Sequence, residues 1–121
     1  NERMYTVHTW IVQLLFHIEK GNFSSMRDII EQLKVYANRQ LRKEEYFRAI
    51  QFIRLLQQLV KAEFQTKEMT NTEKYYERLT EEQAFFYRGL ITELEVIPFE
   101  QLWTLILDRV ERRIRSRFVN G

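Results

Sequence analysis

An all-α fold, with five or six helices in stacked antiparallel hairpins, is what this sequence predicts. Three observations carry that expectation. The 121 residues include three glycines and one proline, too few for the turns of an all-β domain. Apolar residues recur every three and four positions through most of the chain, which is the period of one helical face. The breaks in that period are short, and they fall at residues that end or cap helices: Gly21, Ser25 and Pro98. A single domain over residues 1–121 can bury roughly 65% of the unfolded surface, enough for one core without crosslinks.

The first helix is expected from about Arg3 to Lys20. Met4, Val7, Ile11, Leu14, Leu15 and Ile18 share one face, and a second stripe of Tyr5, Val12 and Phe16 lies about 120° round the axis. A helix this apolar calls for neighbours on two sides. Gly21 ends it, with Lys20 in the last turn, where a cation suits the dipole. Residues 22–25 form a short connection, and Ser25 is the expected N-cap with Asp28 in the first turn. Met26, Ile29, Ile30, Leu33, Tyr36 and Ala37 then line a second helix, antiparallel to the first because the loop is so short.

A charged joint, NRQLRKEE, precedes a third helix from about Glu44 to Phe64, carrying Tyr46, Ala49, Ile50, Ile53, Leu56, Val60 and Phe64 on one face. The stretch QTKEMTNT at 65–72 reads as the main loop, followed by a short helix with Tyr75, Tyr76 and Leu79. Thr80 with Gln83 has the capping-box pattern, so another helix is expected there, carrying Phe86, Leu90, Ile91 and Leu94 inward despite Gly89.

The segment LITELEVIPFEQLW, residues 90–103, holds the only proline and the carboxylates Glu93, Glu95 and Glu100. Helix-start rules account for it without an active site. The residue before a proline is pushed to an extended conformation, and Pro98 is preset for the first helical position. Glu100 then falls in the first turn, favoured by the positive end of the helix. Val96 and Ile97 should pin the lead-in against the core. Phe99, Leu102, Trp103, Ile106, Leu107, Val110 and Ile114 make one continuous face of the last helix.

Site chemistry is sparse. Without cysteine there are no disulfides, no thiol nucleophile and no thiolate metal ligand. His8 and His17 are nine residues apart on one helix, about 180° round it, and cannot grip one metal together. His17, Ser25 and Asp28 near the first turn imitate a triad, but capping already explains Ser25 and Asp28, and no glycine-rich turn supplies an oxyanion hole. The pairs Glu44–Glu45 and Glu81–Glu82 sit at expected helix starts, where acidic residues stabilise the dipole. No enzyme activity, cofactor or metal is therefore expected. Apolar runs are too short for a membrane span, and a cytoplasmic location is the expectation.

The one segment with partner content is the tail. Arg109, Arg112, Arg113, Arg115 and Arg117 are five arginines in nine residues; with Glu111 they leave +4 there and −2 on the rest of a chain whose net charge is +2. Cations suit a helix C-terminus, and these spread round the axis, so a solvated helix end is the first reading. Nucleic-acid binding through their phosphate contacts is the alternative.

The segments HIEKGNFSSMRDIIEQLKVYANRQLRKEEYFRAIQFIRLL, LVKAEF and ELEVIPFEQLWTLIL resemble the C-terminal region of uncharacterised bacterial helical-repeat proteins, distantly similar to tetratricopeptide-repeat proteins. The resemblance implies a right-handed solenoid fragment that binds a protein partner or further repeats of its own chain, and it brings no catalytic residues. Residues 68–89 depart from the pattern, and the chain lacks the 34-residue self-similarity of a regular array. The wide apolar surface of the first helix fits a piece of a longer stack, where a missing repeat would cover it, or self-association; a partner would bind an inter-helix groove or the exposed side of that helix. A non-catalytic interaction or scaffold role is the resulting expectation.

Overall fold

The computed structural model describes residues 2–81 and 97–120. Five α-helices run through them: α1 (Glu2–Lys20), α2 (Phe23–Gln40), α3 (Phe47–Lys61), α4 (Thr72–Thr80) and α5 (Phe99–Asn120). Two 3-10 turns, Glu44–Tyr46 and Thr66–Glu68, serve as joints before α3 and before α4. No strand occurs among the described residues. The expected helix after Thr80, with Gln83, Phe86, Gly89, Leu90, Ile91 and Leu94, lies outside the described residues, as do Glu82, Glu93, Glu95 and Val96.

The turn between α1 and α2 is tighter than the serines suggested. Gly21 sits at φ +67, its N–H bonds Ile18 O at 3.0 Å, and the Asn22 N–H bonds His17 O at 2.9 Å. That pair of bonds is the Schellman pattern, which closes off the last carbonyls of α1. Asn22, not Ser25, caps α2: its Oδ1 accepts the Ser25 N–H at 3.1 Å. Asparagine at the cap starts the helix three residues early, so Asp28 falls past the first turn and Phe23 becomes helical. A Cβ at position 21 would meet only Arg113 Cδ, at 4.0 Å, so space is no obstacle. Gly21→Ala is expected to cost about 1 kcal/mol through the left-handed backbone alone, read as a shifted urea midpoint.

The end of α3 also differs from the periodic reading. The helix stops at Lys61, and Glu63 (φ 51) and Phe64 (φ 63) turn the chain through left-handed space. Phe64 nonetheless enters the core, its N–H bonding Leu59 O at 2.8 Å and its ring 5.1 Å from that of Phe23. Burying a phenyl ring is worth roughly 1.5–3 kcal/mol, comparable with the cost of the strained turn.

At α5 the register moves by one. The Pro98 carbonyl accepts from Gln101 N and Leu102 N, both at 3.0 Å, so Pro98 caps the helix and Phe99 is its first residue. Ile97 does not pin the lead-in; it is 40% exposed. The expected inner face holds: Phe99, Leu102, Trp103, Ile106 and Val110 are buried, with Leu107 and Ile114 packed at its edge.

The long helices α1, α2, α3 and α5 touch in a closed cycle, each packing on the next and α5 returning to α1. Short connections make α1–α2 and α2–α3 antiparallel. The short α4 lies outside this cycle against α3 and α5. Helix α3 is therefore central and buried on nearly every side, including at Arg48, Gln51 and Gln58. The rings of Phe52 and Phe99 stack at 4.9 Å across α3 and α5, and His8 of α1 stacks on Phe99 at 5.9 Å.

Candidate functional site

Helix α1 carries two apolar seams one residue apart in register. The inner seam, Met4, Val7, Ile11, Leu14 and Ile18, is fully buried against α2 and α5. The outer one is bare: Tyr5 is 76% exposed, Val12 65% and Phe16 56%. A scattered apolar side chain at the surface is ordinary, but three in a line are not. Phe16 is oriented by its neighbours, with the His17 ring edge-on at 5.4 Å and Lys20 Nζ 5.5 Å from its centroid. Thr6 and Thr9 beside the stripe turn their hydroxyls back onto Glu2 O and Tyr5 O, both at 2.9 Å. They present little polar competition to an apolar visitor. The sequence expectation of neighbours on two sides of α1 is met by α2 and α5, but neither covers the outer stripe.

The five arginines of the tail all find partners within the chain. Arg109 and Arg113 converge on the two oxygens of Glu19, at 2.9 and 3.4 Å, which ties the end of α1 to α5. Arg112 reaches Asp108 at 3.1 Å and Arg115 reaches Glu111 at 3.7 Å, both one turn back. Arg117 lies over the Phe23 ring at 5.6 Å. All are well exposed, so each pair is worth only about 0–1 kcal/mol.

The triad imitation is not assembled. His17 packs against Phe16 and shares no hydrogen bond with Ser25 or Asp28, and the Ser25 N–H is held by Asn22. Glu44 and Glu45 open the 3-10 turn before α3, whereas Glu81 follows the end of α4 in extended backbone. Thr80 closes α4, its hydroxyl donated back to Tyr76 O at 3.1 Å. Among the described residues no three acidic, histidine or cysteine side chains are grouped to hold a metal. No helix among them is long and apolar enough to cross a membrane.

Two concavities among the described residues bear on function. A cleft of about 720 Å³ between the end of α2 and the outer side of α3 is lined by Lys34, Arg42, Lys43 and Arg54 with the single carboxylate Glu44. Its lining holds no histidine or hydroxyl side chain. A hollow of about 410 Å³ lies between Trp10 of α1 and Val35, Tyr36 and Arg39 of α2. The Trp10 indole meets the Tyr36 ring edge-on at 5.2 Å. Trp10 is more than 110° round α1 from Tyr5, Val12 and Phe16, so this hollow and the stripe are separate.

One functional-looking residue escaped the sequence reading. Arg48 on α3 is 3% exposed, giving Nη1 to Leu79 O at 2.8 Å and Nη2 to Glu100 Oε1 at 2.7 Å. It joins the last turn of α4 to the first turn of α5, where a carbonyl and a carboxylate are each in want of a cation or donor. A signal was present: at 100° per residue Arg48 falls on the line between Leu55 and Leu59, an arginine on an apolar stripe. Its position between helix ends marks it as structural.

The chain matches no protein-family model, no curated protein and no solved structure.

Proposed function

We propose that this protein is a non-catalytic helical interaction module, and that the outer stripe of α1 docks a helix of a protein partner. One observation carries the reading: Tyr5, Val12 and Phe16 stand exposed in a line on a helix whose other face is locked in the core. Their spacings of seven and four residues are among those a helix-in-groove contact uses. Taking roughly 200 Å² for a large side chain, the stripe presents on the order of 400 Å² of apolar surface, the size of patch that monomers keep for binding.

Kinship with helical-repeat proteins belongs to the same proposal. It is supported by α1, α2 and α3 each packing on the next, and the return of α5 onto α1 is the feature an open stack lacks. Phosphate binding by Arg109, Arg112, Arg113, Arg115 and Arg117 is the weaker reading, because the carboxylates Glu19, Asp108 and Glu111 already pair with four of the five.

A photo-crosslinking amino acid at position 12, introduced in the native host, is expected to give a defined adduct. The same group at Asn38, an exposed polar position on α2, should give none. Equal, diffuse labelling at the two positions would remove the proposal.

A further inference from the structure

Resting on that docking reading, we infer that the occupant of the α1 stripe is α1 of a second copy, packed antiparallel across a two-fold axis. The spacing suits it. Tyr5, Thr9, Val12 and Phe16 alternate by four, three and four residues, the seam of a helix pair. The termini select the direction. Glu2 stands in the first turn and Lys20 in the last, both exposed. At 100° per residue the two lie about 60° to the same side of the stripe. Same flanks meet only when the helices run in opposite directions, and Glu2 then faces Lys20 of the other copy. The two-fold axis makes that contact twice.

The register agrees. Pairing position 2 with 20 centres the axis near Ile11 and brings Tyr5 within one residue of Phe16 of the other copy, with Val12 within one residue of Thr9. Antiparallel helices also oppose their dipoles favourably. Glu19, at the edge of the stripe, is already bonded to Arg109 and Arg113 and brings no bare charge to the seam. About 400 Å² of apolar surface from each copy, with the flanking polar side chains, gives roughly 1,000–1,200 Å² in total, the low end of a specific interface. A reversible dimer with Kd on the order of 10 μM is the matching strength.

Sedimentation velocity of the whole chain from about 1 to about 100 μM tests this. The expected result is a monomer–dimer equilibrium that Phe16→Arg weakens by at least about tenfold. Glu2→Lys alone and Lys20→Glu alone should each weaken it by about tenfold, since each places like charges together twice; the two combined should return to within about threefold of the original. All three positions are exposed, and unchanged circular dichroism will verify that the variants fold. A chain that stays monomeric throughout overturns the inference, and so does a dimer that the combined reversal fails to restore. A monomer that still yields a position-12 adduct of foreign mass keeps the docking surface and removes only the second copy; a monomer with no adduct removes both.

Discussion

Glu100→Leu is expected to destabilise the fold by about 3–5 kcal/mol, the cost of stranding a buried guanidinium without its carboxylate. Arg48 is almost fully inside, and its side chain links α3 to Leu79 O and Glu100 Oε1 at 2.8 and 2.7 Å. Glu100 is less buried, its side chain 18% exposed, so the cation is the partner that suffers when the pair is broken. Replacing both ends, Arg48→Met with Glu100→Leu, should recover most of the loss, because apolar side chains of similar volume need no compensating charge. The Leu79 carbonyl would then have lost its Arg48 donor, at about 1–3 kcal/mol. Urea denaturation of the single and double variants measures the coupling directly. An unchanged midpoint in Glu100→Leu would show that this ion pair does not hold α5 to α3.

Trp103→Ala is expected to cost a similar amount, about 3–5 kcal/mol, from lost burial and the cavity left behind. Trp103 is 4% exposed and sits in the middle of the α5 face. Against a total stability on the order of 10 kcal/mol, that loss should lower Tm by roughly 10–20 °C. Phe16→Ala makes the control: an aromatic of similar bulk on the outer stripe of α1, whose removal should leave the isolated monomer within about 0.5 kcal/mol. Comparable losses for the two variants would mean that the stripe is covered within the chain.

Much of the helical plan was readable because periodicity and caps are local properties. The inner face of α1, the break at Gly21 and the face of α5 from Phe99 to Val110 stand where spacing placed them. The errors have local causes too. Asn22 outcompeted Ser25 as a cap because an asparagine one residue past a left-handed glycine can start the next helix at once. Phe64 keeps its place in the core while leaving the helix, and hydrophobic spacing cannot distinguish those two cases. The outer stripe of α1 was visible as a second set of apolar positions, but its exposure was not.

What the order of residues settled was the class of elements and their faces, since apolar spacing and terminating residues act within a few turns. Which helix became the centre depended on long-range packing. Arg48, Gln51 and Gln58 are polar residues of α3, yet α2, α4 and α5 all converge on that helix and those side chains are buried. The shared partner of Arg109 and Arg113 depended on that packing as well, for Glu19 is 90 residues from Arg109 and reaches it only because α5 folds back along α1. An ion pair across such a distance has no local signature; it exists only once burial of the apolar faces has fixed which helices are neighbours.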